Sequence, residues 1–408
     1  MKVERLTTWY GKSAICCLIG VVALLQDIFA PALAAESTNK IEVGASQTSA
    51  YLPLLKNKRV GLVVNQTSRV GDQHLVDFLL SQDVDVKFVF APEHGFRGDH
   101  DAGAKVDSSI DADTGIPVVS IYGKNKKPAA KIMQQLDVII FDIQDVGVRF
   151  YTYLSSMHYM MEAAAEAGKA FIVFDRPNPN GRFVDGPILE PAFRSFVGMH
   201  PIPVLHGMTL GELARMIKGE GWLETDKALD LTIIPVDHYR RELPYSLPVK
   251  PSPNLPNDQS IQLYPSLCFF EATPVSIGRG TEFPFQVVGH DQIHLGSFSF
   301  TPHSIPGSAS NPKLKDVRVT GQDLRTSQIE GLDIQLLLDW QQAFADKQRD
   351  FFDRASFMDK LAGTDKLRLA IEAGQSLSDI RKSWQPGLKQ FKTQRKAYLL
   401  YPDYPAEK

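Results

Sequence analysis

Short apolar runs separated by polar stretches of helical period organise the first half of this 408-residue chain. Arg59 to Val64, Val84 to Phe90, Pro117 to Tyr122, Val138 to Ile143 and Ala170 to Phe174 are five to seven residues long and bounded by turn formers, so each predicts a buried strand. Between them, Gly71 to Ser81 places Leu75, Phe78 and Leu79 at helical spacing, Pro128 to Leu136 reads as a helix, and Thr152 to Gly168 is a long Ala- and Met-rich helix with Gly168 as its stop. Nearly all-apolar strands alternating with helices predict an α/β fold, a mostly parallel sheet covered on both faces.

The second half has a weaker pattern. Leu210 to Lys218 predicts a helix capped by Thr209, and Asp230 to Val236 a sixth strand. Pro244 to Pro265, rich in Pro, Ser and Asn, reads as a long crossing loop. Leu336 to Phe352, Asp365 to Ala373 and Leu377 to Trp384 read as helices, the last ending before Pro386. The length predicts two domains, placed at 36–240 and 241–408, the second smaller, mixed α+β, and forming the other wall of a cleft.

Residues 1–35 carry a different signal. Lys2, Arg5 and Lys12 precede the apolar run Ala14 to Leu25, and Ala32-Leu33-Ala34 supplies small residues at a cleavage site, the pattern of a secretory signal peptide. The run is short for a membrane span, so no stable anchor is expected after cleavage, and the protein is expected in the periplasm or outside the cell. Cys268 would then be the only thiol, buried and inert, and no internal disulfide would hold the fold. Charged residues make up 22% of the chain and the formal net charge is −3, which gives no support to nucleic-acid binding. Lys392, Arg395 and Lys396 form a basic patch, either a solvated face or a contact for an anionic polymer. Oligomeric state is not legible.

In a parallel sheet, ligands bind beyond the carboxyl ends of the strands. Those ends carry Asn65-Gln66-Thr67, then Glu93, His94 and Arg97, then Tyr122, then Asp142, Gln144, Asp145, Arg149, Tyr151 and Tyr153, then Asp175, Arg176 and Asn178. Asn65 and Asp175 have an alternative role in turns, and Asp142 one in holding neighbouring backbone. No G-x-G-x-x-G, Walker-type, H-E-x-x-H or G-x-S-x-G motif is present, so no cofactor is expected. Glu93, His94, Asp99, His100 and Asp101 could offer metal ligands, but Arg97 in their midst and the irregular spacing argue for none. The carboxylate- and aromatic-rich crevice suits glycoside hydrolysis: Glu93, partly covered by Phe96, as the acid, and Asp142 or Asp145 in the second role, with Glu271 and Glu282 behind them.

Longer motifs add a resemblance. Gly61-Leu62-Val63-Val64-Asn65-Gln66-Thr67, Phe90-Ala91-Pro92-Glu93-His94-Gly95-Phe96-Arg97-Gly98, Phe141 to Tyr153, Asp175-Arg176-Pro177-Asn178-Pro179, Pro203 to Thr209 around His206, Pro251-Ser252-Pro253-Asn254 and Gly278-Arg279-Gly280-Thr281 resemble the NamZ-type exo-β-N-acetylmuramidases, a former domain of unknown function. The resemblance implies a Rossmann-like N-terminal domain, a smaller C-terminal one, and an active site between them. It also implies release of non-reducing terminal N-acetylmuramic acid from peptidoglycan fragments during cell-wall turnover, with the catalytic glutamate at Glu93. His206, Asn254, Glu271 and Arg279 join the expected binding residues. Muramic acid differs from glucosamine by a lactyl ether bearing a carboxylate, so one of Arg97, Arg149, Arg176 and Arg279 is expected to read it; the alternative is pairing with Asp142, Asp145 or Asp175. A non-catalytic periplasmic sugar-binding protein and a metal-dependent hydrolase stand as the other readings.

Overall fold

A computed structural model of the chain describes residues 40–93, 95–96 and 109–403. The leader expected at residues 1–35, His94, Arg97 and the Asp99-His100-Asp101 tip lie outside the described residues. Seven strands form the central sheet: β1 (Arg59–Val64), β2 (Asp85–Ala91), β3 (Ser109–Ile110), β4 (Pro117–Ser120), β5 (Val138–Asp142), β6 (Ala170–Phe174) and β7 (Asp230–Ile234). Their order is β3-β4-β2-β1-β5-β6-β7, with every pairing parallel except the short β3 against β4. The chain winds outward from β1 in one direction through β2 and β4, then in the other through β5, β6 and β7. The winding therefore reverses between β1 and β5, and the crevice of such a sheet opens beyond the ends of those two strands. β5 is buried at every position, as expected for a central strand with both faces covered.

Helices α1 (Thr48–Leu55), α2 (Leu75–Ser81), α3 (Ala130–Met133), α4 (Tyr153–Ala167) and α5 (Leu210–Gly219) cover the two faces. α4 stops at Gly168, whose φ of 64° is the left-handed cap that its sequence predicts. α5 starts with a capping box in which Thr209 and Glu212 exchange side-chain-to-backbone bonds. Sequence reading missed α1.

The second half departs further from expectation. The stretch read as one long loop holds α6 (Asp258–Leu267), started by a capping box between Asn257 and Ser260. Next come an antiparallel sheet of β8 (Val287–His290), β9 (Phe298–Phe300) and β10 (Val319–Asp323), in the order β8-β10-β9, and helices α7 (Gln335–Ala345), α8 (Ala355–Ala362), α9 (Lys366–Glu372) and α10 (Leu377–Gln394). α10 does not stop before Pro386. It runs through it, because Ile380, Trp384, Leu388 and Phe391 bury one face on both sides of the proline. That burial outweighs the one backbone bond that proline removes. Among the described residues the largest apolar cluster runs from Val63 in β1 to Phe391 in α10, across the expected 240/241 boundary, and a second one packs the other side chains of β1 against α1 and α2. No helix among the described residues is long and apolar enough to cross a membrane.

Candidate active site

Glu93 stands two residues past the end of β2, in a turn closed by the Gly95 N–H donating to Pro92 O at 3.1 Å, with Gly95 at φ 78°. Both carboxylate oxygens accept hydroxyl hydrogen bonds: Tyr122 OH reaches Oε1 at 2.9 Å and Thr152 Oγ1 reaches Oε2 at 2.7 Å. Thr152 occupies the N-cap position of α4 yet makes no capping bond. Its hydroxyl serves Glu93 instead. The Phe96 ring packs edge-on against His74.

Glu93 lines a cavity open to solvent together with Tyr151, Thr152, Tyr153, Ser252, Asn254, Tyr264, Arg279 and Phe285. The lining comes from the β2 turn, the start of α4, the loop before α6, α6 itself and the Arg279 turn, so both halves of the chain build it. Tyr151, Tyr153 and Tyr264 form an edge-to-face cluster, Tyr151 lying 5.0 Å from Tyr153 and 5.9 Å from Tyr264 between ring centroids. Tyr151 OH donates to Pro251 O at 2.9 Å, and Asn254 Nδ2 to Ser308 O at 2.8 Å. Burial first, and the charge of Glu93 second, push the Tyr153 phenol above its ordinary range, so it stays protonated at neutral pH.

Arg279 sits between Gly278 and Gly280, at φ 80° and 81°. A Cβ on Gly280 would lie 2.4 Å from His303 O, so only glycine lets this turn press against the neighbouring loop. The Arg279 guanidinium donates from Nε to Glu271 Oε1 at 2.6 Å and lies 4.9 Å from the Phe285 ring centre.

Behind Tyr151 and Tyr153 lies Asp145. Its Oδ1 accepts the Gly147 N–H at 2.6 Å, while its buried Oδ2 has no partner among the described residues. Burial pushes its carboxyl up to about 7 against the pull of the Gly147 and Val146 amides. Asn65 Nδ2 and Tyr153 OH are likewise buried without a partner among the described residues. Of these three groups only Tyr153 lines the cavity.

The remaining expected site residues make contacts within the protein and do not line this cavity. Asp142 is fully buried and held by Arg176 through Nε at 2.6 Å and Nη2 at 2.9 Å, so both residues are consumed by a bidentate pair. Asp175 accepts from Thr209 Oγ1, Gly211 N and Tyr401 OH, which fixes α5 and the C-terminal segment to β6. Arg149 is buried and donates to the carbonyls of Pro187, Ile202 and Leu361, and burial lowers it to about 9. Gln144 gives its amide to Asp145 O and Pro177 O, and Asn178 gives its own to Met208 O. His206 is buried, lowered to about 3 chiefly by that burial, and accepts the Met208 N–H. Arg395, counted in a basic patch, is buried on Gly207 O and Asp403. Glu282 is exposed and lines nothing in the cavity. Among the described residues no group of three His, Cys, Asp or Glu side chains is placed to hold a metal. Sequence reading missed Thr152, Ser252 and Phe285. Only Thr152 carried a signal, a hydroxyl at a helix start in reach of the crevice.

Two family models cover almost all of the described chain: "Exo-beta-N-acetylmuramidase NamZ, N-terminal" over residues 60–259 and the corresponding C-terminal model over 262–401. The chain belongs to the NamZ family. A NamZ relative, the peptidoglycan beta-N-acetylmuramidase of Bacillus subtilis (strain 168), is 39% identical over 375 residues, spanning 86% of this chain and 89% of its own length. Two DUF1343 family proteins of Bacteroides fragilis NCTC 9343 have similar crystal structures. One matches at TM-score 0.81 and 45% identity, the other at 0.77 and 28%, each over 89% of this chain and 99% of its own. The NamZ models meet at the start of α6, where the chain crosses from the central sheet to the second wall of the cavity.

Proposed function

We propose that this protein is an exo-acting glycosidase that releases terminal N-acetylmuramic acid from peptidoglycan fragments, with Glu93 as the proton donor. The observation carrying the residue assignment is the setting of Glu93: a carboxyl at a strand end, in the wall of a cavity built by both halves of the chain, oriented by two hydroxyls from different elements. On this reading Glu93 delivers its proton to the glycosidic oxygen as the bond to the anomeric carbon breaks, and Tyr122 and Thr152 keep it aimed. Asp145 supplies the second titrating carboxyl, behind Tyr151 and Tyr153, whose phenols lie in the field of both acids. Export to the periplasm or beyond is part of the proposal, supported by the basic, apolar and small-residue succession of residues 1–35.

The test is hydrolysis of a 4-nitrophenyl muramide and of a disaccharide with muramic acid at its non-reducing end. Glu93→Gln is expected to lower kcat on the disaccharide by about 10²–10⁴-fold while leaving the circular dichroism spectrum intact. The aryl substrate, whose leaving group needs less protonation, should lose less. Equal turnover by wild type and Glu93→Gln would end the assignment, and saturable binding without hydrolysis would favour a sugar-binding protein.

A further inference from the structure

Of the three described arginines expected to read an anionic sugar, Arg149 is held on three backbone carbonyls and Arg176 on Asp142, and neither lines the cavity that Glu93 lines. Arg279 differs in three ways. It lines the cavity that Glu93 lines, and its side chain keeps 26% of its surface open. Its hydrogen bond to Glu271 engages Nε, leaving both terminal nitrogens with no bond to a described residue. The group is nonetheless held rigidly, by Glu271 at one edge, by the Phe285 face, and by a turn that only glycines permit on either side. A fixed guanidinium with two free donors on one edge is the shape that grips a carboxylate in two parallel bonds.

The charge balance around it points the same way. Lys313 donates to the carbonyls of Phe270 at 2.7 Å and Thr273 at 2.5 Å, the residues that bracket Glu271. Arg279 and Lys313 thus face one carboxylate, Glu271. Widening the circle adds Arg354, which reaches Glu271 O at 3.4 Å, and Asp353, which acts on Lys313. The count becomes three cations to two anions, and Glu93 on the same cavity wall adds a third anion when ionised and none when it carries the proton it donates. In the proton-bearing form one positive charge is left over, and an anionic ligand relieves it.

We propose that Arg279, fixed by Glu271 and backed by Lys313, binds the carboxylate of the lactyl ether on the terminal sugar, and that this contact is how the pocket separates muramic acid from glucosamine. The proposal rests on the glycosidase reading for its ligand and adds the residue that sets its specificity. Glu271 is a positioning residue, acting only through Arg279.

Two measurements test it. The first is calorimetric binding of free N-acetylmuramic acid, its lactyl amide and N-acetylglucosamine to Glu93→Gln, with and without Arg279→Met. Arg279→Met should weaken muramic acid by about 100-fold and leave the amide and glucosamine within about threefold. The second is kcat/KM on paired 4-nitrophenyl muramide and glucosaminide. Arg279→Met should collapse the preference for the muramide, and Arg279→Lys should restore part of it as a point charge without the fork. Glu271→Gln keeps the shape of its side chain and should lower the preference less than Arg279→Met; it serves if the methionine variant fails to fold. Equal losses on all ligands, or an unchanged preference, would overturn the assignment. A wild type that hydrolyses neither substrate would refute the glycosidase reading, while the binding series would still decide the role of Arg279.

Discussion

Two sets of charged residues stand at the same end of the same sheet, and only one of them faces a cavity. Asp142, Arg176 and Asp175 follow β5 and β6, and Glu93 follows β2. Asp142 and Arg176 close on each other, and Asp175 is saturated by a hydroxyl, an amide and a phenol. Glu93 and Arg279 are also held by partners, yet both line a cavity. Residue type does not distinguish the two sets; what distinguishes them is whether the held group borders a cavity. A charge enclosed by the protein holds the fold together, and one on a cavity wall is available to a ligand.

The largest effect should come from breaking the saturated set. Asp142→Ala leaves Arg176 buried without its counter-charge and should cost about 3–5 kcal/mol in urea unfolding, against about 1 kcal/mol or less for Glu93→Gln. Similar losses for both would erase the distinction drawn here.

Asp145 sharpens the comparison from the other side, being buried yet only half-satisfied. Its folded carboxyl is raised to about 7, so the folded chain holds a proton that the unfolded chain has already released. The stabilising contribution is complete below the ordinary carboxylate range and is lost as pH rises through about 7, at up to about 1.4 kcal/mol per pH unit. Asp145→Asn should therefore flatten the fall in stability between about pH 4 and 7. A variant with the wild-type slope would show that Asp145 is ionised in the fold.

A smaller effect is expected at a buried network that faces no cavity. His158 bonds Glu162 at 3.0 Å, and His200 bonds His158 at 3.0 Å while stacking on Trp222. Burial, then the neighbouring His158 and Arg194, hold the His200 imidazole well below its ordinary value. The unfolded chain gains a proton there below about 6.5 that the fold refuses, so stability is lost as pH falls through that point. His200→Gln should lessen the loss between pH 6.5 and 5, over a window narrower than that of Asp145. Unchanged urea midpoints across this interval would contradict it.

The strands were legible because a strand buried on both faces is apolar at nearly every position, as β1 and β5 are. α10 was misread because a proline is a local signal, whereas the burial of Trp384 and Leu388 that overrides it is not. The loop before α6 hid its helix for the opposite reason: the Asn257 and Ser260 that cap it resemble ordinary loop residues. Glu93 could be found from its place at a strand end, and Arg279 from its flanking glycines. What could not be read was which acids were already taken. Tyr401, which ties down Asp175, lies 226 residues away from it, and the three carbonyls that occupy Arg149 belong to separate stretches, the farthest 212 residues on. Saturation depends on contacts that no local pattern encodes.

Arg149 gives that last point a practical edge. Its guanidinium, rooted just before α4, grips the backbone of Leu361 in α8 while also clasping Pro187 and Ile202. A gene cut after codon 240 would strip away one of those carbonyls together with the apolar wall beyond it, stranding a desolvated cation in the surviving piece. The halves are thus bound to melt together, and neither should be obtained as a well-behaved fragment.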